Sequence, residues 1–464
     1  MTEKFQFEPS EPATLADHYD LVIIGSGGAG LVSALQAREL GLHPVVLEKM
    51  PTLGGNTIKA SSGMNAAETN VQLRQGIVDS FAEFYEETFQ GGGRLNDPAL
   101  LEYFTTHSGQ AIDWLRLHGI FLNDLTLTGG MKKKRAHRPE STAPVGAYLI
   151  NNLLWLLAQV KIPVYTNTRV TELLKDETGK IKGVKVELLG SEKTLKTKAV
   201  VLATGGFGAS KQLLKRYRPE LAEYQTTNQS GATGDGIFLG AEIGAQPIQM
   251  ELVQIHPTVQ QDTEKVFLIG EAVRGEGAIL VDQFGERFTD ELGTRRVVSQ
   301  KITALPERSA YLIYDQAVKE RVKALAFYEA KGLVLKADTL TKLAAKLELN
   351  ASALEDTLRQ WNTAVETGVD VRFGRTTGMT HKLAQAPYYA IHVAPAVHYT
   401  MGGLHIDQKA RVLDRNGAVI PGLFAAGEVT GGLHGNNRIG GNSIAETVVF
   451  GRQAAQQAAV YLED

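Results

Sequence analysis

The sequence contains no cysteine among its 464 residues. This absence excludes disulfides, c-type haem attachment, thiolate-bound iron–sulfur clusters and a thiol nucleophile. We therefore expect any redox chemistry of this chain to depend on an organic cofactor, and we assign it no haem, no iron–sulfur cluster and no metal site.

The sequence also lacks a bias in charge and a long apolar run. Its 48 basic and 51 acidic side chains give a net charge of -3, which favours neither nucleic acid nor an anionic membrane as a partner. No apolar run approaches the roughly 20 residues that span a bilayer. The first stretch, MTEKFQFEPSEPATLADHYD, is polar and acidic, unlike a signal peptide. These features predict a cytoplasmic protein that acts on a small molecule.

A glycine-rich turn follows the first apolar run. In YDLVIIGSGGAGLVSALQARELGLHPVVLEK, Gly25, Gly27 and Gly30 fit G-x-G-x-x-G between an expected strand and an expected helix, and Glu48 ends the next strand. Glycine permits the tight turn and the close approach of backbone N–H groups to a pyrophosphate, while the acidic residue accepts from ribose hydroxyls. The stretch predicts a dinucleotide-binding βαβ unit.

Later segments favour FAD over NAD. Residues 160–200 alternate as a β-meander with turns at 177–180 and 190–191. Two further apolar strands end in small residues, AVVLATGGFG at 199–208 and GLFAAGEVTGG at 422–432. A nicotinamide enzyme with one Rossmann unit does not need these strands. Their order predicts that both ends of the chain bind one extended dinucleotide.

The length predicts two domains, because one hydrophobic core rarely serves a chain of this size. The predicted fold class is α/β, with a Rossmann-like, glutathione-reductase-like FAD-binding domain and an inserted α+β domain that covers the cofactor. We expect the FAD-binding domain at 1–250, with an irregular leader at 1–18, and again at 400–464, and the insert at 251–399. Within the insert, residues 338–368 have helical periodicity, with Asn350 and Ser352 as expected caps.

Several long motifs make the assignment more specific. They are GGNTIKASSGMNAAET, RAHRP, TNQSGATGDG, QIHPT, GEAVRGEGAIL, RFTDELGTRR, VHYTMGGL and AAGEVTGGLHGNNRIGGNS. In these motifs the chain resembles the flavoprotein domain of soluble fumarate reductases of the flavocytochrome c type, within the succinate dehydrogenase and fumarate reductase flavoprotein family. The resemblance implies FAD-dependent reduction of fumarate to succinate in anaerobic metabolism. It also implies that the insert is a capping domain that closes over the substrate and excludes water.

The resemblance assigns roles to side chains around a dicarboxylate substrate. The implied roles are proton donor for Arg295, proton relay for Glu271 and Arg274, and substrate binding for His256, His398, Arg438, Ser62, Gly270 and Gly441. Arginine is a poor acid in water, because its pKa lies above ~12. In a closed site, however, the proton passes to a carbanion-like carbon, which is a much stronger base. After each turnover such a donor must regain a proton. A proton relay through Glu271 and Arg274 would explain the charges inside the otherwise apolar stretch FLIGEAVRGEGAIL. We expect Glu276 to be structural and Arg296 to be a surface or structural charge.

Other motif positions are implied contacts of the cofactor. They are Gly25, Gly27, Gly28, Ala29, Gly30, Glu48, Lys49, Gly55, Asn56, Thr57, Ser62, Gly63, Val170, Thr204, Gly205, Asp235, Gly427, Glu428, Ser443 and Ile444. In membrane-bound relatives a histidine near GGNT bonds covalently to the flavin. The stretch LGGNTIKASSGMNAA contains no histidine, so the resemblance implies noncovalent FAD.

Two positions depart from the family pattern. Gly270 replaces a threonine that contacts a substrate carboxylate, and Ser62 replaces one glycine of GGMN. Loss of the threonine hydroxyl removes a hydrogen bond worth ~1 kcal/mol and leaves space. The alternative substrate is therefore another 2-enoate, of acrylate type or urocanate-like.

Two further functions stay open at this stage. The chain could be a flavoprotein subunit for electron transfer, although such a subunit has no reason to keep buried charges, and L-aspartate oxidase is a further relative. We expect an external electron donor, either reduced flavin or a separate redox protein. The run KKKRAHR at 132–138 either docks an acidic donor or forms a solvated loop.

Overall fold

The computed structural model of the protein describes residues 5–463. Residues 1–4 of the expected leader, and Asp464, lie outside the described part. By its internal contacts the chain divides into two compact units. The first unit, called the nucleotide unit, runs to Ala222 and includes Asn228–Val253 and the chain from Tyr399 onward. The second, called the inserted unit, consists of Glu223–Thr227 and Gln254–His398.

The strands are numbered in chain order. They are β1 (Leu21–Ile24), β2 (Pro44–Leu47), β3 (Met64–Asn65), β4 (Asp124–Thr126), β5 (Ala136–Arg138), β6 (Val164–Tyr165), β7 (Thr168–Lys175), β8 (Ile181–Leu188), β9 (Ser191–Lys196), β10 (Ala199–Leu202), β11 (Pro247–Ile248), β12 (Val253–Gln260), β13 (Phe267–Leu268), β14 (Ile279–Val281), β15 (Ala310–Asp315), β16 (Leu335–Ala337), β17 (Tyr388–Thr400), β18 (Gly403–Leu404), β19 (Arg411–Leu413) and β20 (Val419–Ala425).

The α-helices are numbered in the same way. They are α1 (Gly28–Glu39), α2 (Asn70–Arg74), α3 (Phe81–Gly91), α4 (Pro98–Leu117), α5 (Val145–Gln159), α6 (Lys211–Tyr217), α7 (Asp235–Glu242), α8 (Glu271–Gly275), α9 (Arg295–Thr303), α10 (Gln316–Arg321), α11 (Ala324–Ala330), α12 (Leu340–Lys346), α13 (Ala351–Thr367) and α14 (Asn442–Glu463). Among residues 5–463, none of these helices has the length and apolarity needed to cross a bilayer.

The nucleotide unit is built on a six-stranded sheet with the strand order β19-β20-β10-β1-β2-β6. The central strands β10, β1 and β2 pair in parallel, and every residue of these three strands is buried. Apolar runs of this kind are typical of parallel strands covered on both faces. The expected meander forms a separate sheet, β7-β8-β9. The α/β class with a Rossmann-like domain is thus confirmed.

The inserted unit contains the sheet β13-β12-β17-β15-β14, with β16 also paired to β17. The segment expected to be helical forms two helices, α12 and α13. Asn350 caps α13, because its side chain accepts from the backbone N–H of Ala353 at 3.1 Å. The expectation for Ser352 was wrong: this residue lies inside α13, and its hydroxyl donates to the Asn350 side chain at 2.8 Å.

A buried carboxylate organises the interior of the inserted unit. Glu291 accepts from Arg287 at 2.7 and 2.8 Å, from Arg375 at 3.0 Å and from the backbone N–H of Leu280 at 3.3 Å. Both guanidinium groups also lie near the ring of Trp361 on α13, with 4.9 Å for Arg287 and 4.6 Å for Arg375. The ion pairs and the aromatic ring therefore connect the loop at 287–291 to α13 and to the segment around Arg375.

Replacing Glu291 with Gln is expected to lower the free energy of unfolding by about 3 to 5 kcal/mol, because two buried guanidinium groups lose their counter-charge. A urea titration followed by tryptophan fluorescence measures the change. The matched control is Glu286→Gln, whose carboxylate makes an exposed, 3.8 Å pair with Arg372, and we expect a loss below about 0.5 kcal/mol there. Equal effects of the two substitutions would contradict the structural role of Glu291.

Candidate functional site

The glycine loop lies at the carboxyl end of β1, where α1 begins. Gly25 has a φ of 108°, and a Cβ there would lie 2.4 Å from the Ala203 carbonyl oxygen. A Cβ at Gly30 would lie 2.0 Å from the Gly25 carbonyl oxygen. These two glycines are required by the turn and by the packing of α1 on the sheet. In contrast, a Cβ at Gly27 would meet only the Thr57 hydroxyl, at 3.8 Å.

Glu48 fastens the glycine loop to the end of β2. One carboxylate oxygen accepts from the backbone N–H and the hydroxyl of Ser26 at 3.0 and 2.7 Å, and the other accepts from the Met50 N–H at 2.8 Å. A carboxylate has about four acceptor positions, so one remains for a ribose hydroxyl. Sequence reasoning predicted the ribose contact and missed the structural role.

Two other expected cofactor residues form an ion pair with each other. The Lys49 ammonium lies 3.1 Å from the Asp235 carboxylate at the start of α7 and donates to the Thr233 hydroxyl at 2.6 Å. Burial raises the pKa of Asp235, but the hydrogen bond from Thr233 and the charges of Lys49 and Arg169 outweigh it and lower the pKa. Asp235 is therefore ionised and fixed in place.

Asn56 and Glu428 meet in a polar cluster of the nucleotide unit. The Asn56 amide donates to Asn228 at 2.6 Å and to Glu428 at 3.3 Å, and the backbone N–H and hydroxyl of Thr400 donate to Glu428 at 3.0 and 3.2 Å. Burial raises the pKa of Glu428 to about 7. This carboxyl group can therefore accept or donate a proton near neutral pH.

The loop after β10 provides space and an unpaired hydroxyl for a cofactor. A Cβ at Gly205 would meet no atom within 4 Å. The buried Thr204 hydroxyl has no hydrogen-bond partner within residues 5–463. Together with the N-terminus of α1, the free acceptor position of Glu48 and the room beside Gly27, these groups fit a dinucleotide.

Asn65 joins β3 to the N-terminus of α14 and was not predicted as a site residue. Its amide donates to the Gly440 carbonyl oxygen and to the Asn442 side chain, both at 2.7 Å. A Cβ at Gly441 would lie 2.6 Å from the Asn65 amide oxygen, so glycine is required there. Within the described residues, Asn65 Oδ1 and Asn442 Nδ2 are buried without a partner. These two atoms favour a polar ligand group at this helix end.

The expected substrate ligand Arg438 is buried against an aromatic ring. Its guanidinium carbon lies 4.6 Å from the ring centroid of Tyr399, and the Tyr399 hydroxyl donates to Glu446 at 2.7 Å. The same Glu446 oxygen lies 2.9 Å from Nε2 of His434. Sequence reasoning missed these positioning side chains, although Tyr399 and His434 lie inside the quoted motifs.

The remaining expected cofactor positions also lie in the nucleotide unit. Gly28 donates its N–H to the Thr57 hydroxyl at 3.0 Å, and Gly427, with a φ of 79°, packs against Ala29. The other positions, with their locations, are Gly55 before Asn56, Ser62 and Gly63 before β3, Val170 in β7, and Ser443 and Ile444 at the start of α14. The structure therefore brings Gly28 into contact with Thr57, and Gly427 into contact with Ala29.

In the inserted unit, Arg295 is the first residue of α9 and makes two side-chain hydrogen bonds. Its Nε donates to the Glu271 carboxylate at 2.6 Å, and Nη1 donates to the Gln254 side chain at 3.0 Å. Gln254 was not singled out from the sequence. The neighbouring residue Arg296 is exposed, as expected.

Two histidines lie near each other in the same unit. The rings of His256 and His398 are 5.4 Å apart. Nδ1 of His256 accepts from the Thr258 backbone N–H at 3.3 Å, so the neutral ring has its hydrogen on Nε2. Nδ1 of His398 lies 2.8 Å from the Thr227 hydroxyl. Thr227, in the motif TNQSGATGDG, orients His398 and was missed by sequence reasoning.

Arg274 lies behind Glu271 on α8, with 2% of its surface exposed. It donates to the Glu291 carbonyl oxygen at 2.5 Å, and Arg375 donates to the Arg274 carbonyl oxygen at 2.6 Å. Burial, together with the nearby charges of Arg295 and Arg375, outweighs the attraction of Glu271 and lowers the pKa of Arg274 to about 10.

As expected for a structural charge, Glu276 pairs with Arg321 at 2.9 Å.

The basic run at 132–138 is neither a solvated loop nor a continuous docking patch. Arg135 is fully buried and binds Asp79 at 2.7 Å and Glu87 at 2.6 Å. His137 is also fully buried. Charges that satisfy buried partners do not face an acidic donor, so both expectations were wrong for the central residues of the run.

We expect Glu428→Gln to stabilise the FAD-free protein at pH 8 but not at pH 5. The raised pKa means that folding favours the protonated form of Glu428. The stabilisation of the folded state by protonated Glu428 is therefore complete below pH 4.5 and is lost as the pH rises through about 7. Thermal unfolding of the FAD-free protein at both pH values measures the effect, with the exposed Glu251→Gln as control. A pH-independent difference between wild type and Glu428→Gln would contradict the raised pKa.

Comparison with known proteins identifies the family of the chain. Residues 20–444 match the family described as FAD binding domain. The chain is 48% identical over 444 residues to the NADH:fumarate oxidoreductase of Klebsiella pneumoniae (strain 342), covering 95% of this chain and 48% of that protein. It is 41% identical over 446 residues to the fumarate reductase (cytochrome) of Shewanella frigidimarina, covering 96% of this chain and 78% of that protein.

A solved structure shows the same fold. The open conformation of a flavocytochrome c3 fumarate reductase matches with a TM-score of 0.85 at 37% identity, covering 97% of this chain and 80% of that one. The chain thus spans about half the length of the Klebsiella relative and most of the length of the other two. FAD is the cofactor that the family match indicates, and the glycine loop fits a dinucleotide. The chain belongs to the family of FAD-binding-domain flavoproteins that includes the soluble fumarate reductases.

Proposed function

We propose that the protein is an FAD-dependent oxidoreductase that reduces the alkene bond of fumarate to give succinate. The observation that supports this most directly is the pairing of Arg295 with Glu271 at 2.6 Å, beside the buried Arg274. Bound FAD, when reduced, supplies a hydride to one alkene carbon. The residues of the chain then bind the dianion, exclude water and deliver the proton to the other carbon.

Arg295 is the proposed proton donor. Glu271 and Gln254 fix two of its nitrogens and so orient the guanidinium. The protonated carbon is a strong base, and an oriented guanidinium avoids the reorganisation that a free acid would need. Glu271 then returns a proton to Arg295, and Arg274, with its lowered pKa, returns one to Glu271.

Carboxylate recognition is proposed for His256, His398 and Arg438. Because Nδ1 of His256 accepts from the Thr258 N–H, the ring can donate to a carboxylate through Nε2, and Thr227 orients the ring of His398. Arg438 offers a planar fork suited to a carboxylate. Charge drawn towards the bound carboxylates makes the alkene a better hydride acceptor.

Noncovalent binding of FAD is part of the proposal. His137 lies opposite Met64, shortly after the GGNT segment, where β5 pairs with β3. Nδ1 of His137 lies 2.6 Å from the Arg135 carbonyl oxygen and Nε2 lies 2.8 Å from the Thr69 hydroxyl. Since both ring nitrogens are engaged and burial lowers the pKa of His137 to about 4, this ring is a poor partner for a covalent flavin bond. An external electron donor and the cytoplasmic location stay predictions.

A second candidate is reduction of another 2-enoate. The observation that favours it is Gly270, where a Cβ would meet only the Tyr328 hydroxyl, at 3.7 Å. The space beside Gly270 can admit a substituent larger than the one that a threonine allows. Steady-state turnover with fumarate, acrylate and urocanate separates the two candidates.

Arg295→Ala is expected to lower turnover by roughly 10² to 10⁴-fold while FAD stays bound, because the variant loses its general acid. Flavin absorbance after gel filtration verifies cofactor content, and succinate formation measures turnover. Arg296→Ala, which removes an exposed arginine one residue away, is the matched control and should keep normal activity. Near-normal turnover of Arg295→Ala would exclude Arg295 as the donor.

Turnover is also expected to fall as the pH rises through about 10, because only protonated Arg274 can reload the donor. In Arg274→Lys the falling limb should move to lower pH, since a lysine starts from a pKa near ~10.4 and burial lowers it further. The pH profile of kcat measures the shift, with Arg296→Lys as control. Identical profiles for wild type and Arg274→Lys would remove Arg274 from the relay.

A further inference from the structure

Gly270 has no side chain, although its backbone conformation does not require glycine. Its φ of -60° and ψ of 148° are those of an ordinary extended residue, so any side chain could adopt them. A Cβ at this position would meet one atom within 4 Å, the Tyr328 hydroxyl oxygen at 3.7 Å. A side chain at position 270 would therefore lie next to the hydroxyl of Tyr328, which is on α11.

The Tyr328 hydroxyl has a hydrogen available for donation. The ring is buried, with 7% of its surface exposed, and the hydroxyl oxygen accepts from the Gly270 backbone N–H at 3.2 Å. Within residues 5–463 no hydrogen bond donated by this hydroxyl is found. Burial raises the pKa of Tyr328, so the phenol stays neutral and keeps its O–H at physiological pH.

Gly270, which donates to this hydroxyl, is next to the residue that binds the proposed proton donor. Strand β13 pairs with β12 so that Leu268 faces Val259, and the next residue, Ile269, donates to the Thr258 carbonyl oxygen at 2.9 Å. β13 ends at Leu268 and α8 begins at Glu271, so Gly270 joins the strand to the helix. Gly270 is thus adjacent in sequence to Glu271, whose carboxylate accepts from Arg295 at 2.6 Å.

We propose that Tyr328 is a specificity-determining residue whose hydroxyl donates a hydrogen bond to the second carboxylate of a dicarboxylate 2-enoate. The inference rests on the proposed function and assigns the recognition of one substrate end to a residue outside the sequence motifs. The Gly270 N–H holds the oxygen of Tyr328, and the absence of a side chain at 270 gives the substrate access to the O–H. A substrate with a single carboxylate has no group for this donor.

The test compares Tyr328→Phe with wild-type holoenzyme on two substrates that differ by one carboxylate, fumarate and acrylate. For fumarate we expect KM to rise by roughly tenfold to a hundredfold with little change in kcat, as for the loss of a hydrogen bond to a charged group. For acrylate, measured as a substrate or as a competitive inhibitor, we expect no change. Tyr311→Phe, in the partly exposed tyrosine of β15, is the matched control.

A second variant separates recognition from anchoring of the Gly270 segment. In the double variant Gly270→Thr with Tyr328→Phe, the threonine hydroxyl occupies the vacated space, so the KM for fumarate should return towards the wild-type value. Equal losses for fumarate and acrylate, or an unchanged KM for fumarate, would overturn the role of Tyr328 while leaving fumarate reduction intact. Wild-type protein that reduces acrylate but not fumarate would instead contradict the proposed function, and this role of Tyr328 with it.

Discussion

The geometry of the inserted unit depends on the ion pairs and hydrogen bonds of the buried Glu291 carboxylate. It neutralises Arg287 and Arg375, and Arg375 in turn donates to the Arg274 carbonyl oxygen, while Arg274 donates to the carbonyl oxygen of Glu291 itself. These contacts close a ring of hydrogen bonds around α8. The short helix that bears Glu271 has only five residues, too few to be stable alone. Its position, and therefore that of the proposed proton relay, is set by this ring.

The same interior contains several buried arginines, and their burial has chemical consequences. Arg287 pairs with Glu291 and Asp370, Arg375 pairs with Glu291, and the buried Arg274 donates to the Glu291 carbonyl oxygen. Burial, together with the charges of Arg295 and Arg375, lowers the pKa of Arg274, and a buried guanidinium is stabilised by a nearby anion. The structural network and the proposed chemistry thus depend on the same electrostatic condition.

Local patterns predicted those parts of the fold that arise from local rules. The glycine turn, the parallel strands, the meander turns and the Asn350 cap follow from backbone sterics and side-chain alternation over a few residues. The positioning residues did not follow, because Gln254, Thr227, Tyr399 and Asn65 act through contacts between distant segments. The basic run at 132–138 was misread for the same reason: Asp79 and Glu87, which bury Arg135, lie about 50 residues earlier in the sequence.

The central claim is that reduced flavin in this protein passes its electrons to fumarate with a proton from Arg295. The most direct measurement is a single turnover: the flavin of the purified holoenzyme is reduced anaerobically with dithionite, fumarate is added, and flavin absorbance and succinate are followed together. The account predicts rapid reoxidation with one succinate formed per flavin. A flavin that stays reduced in the presence of fumarate would contradict it.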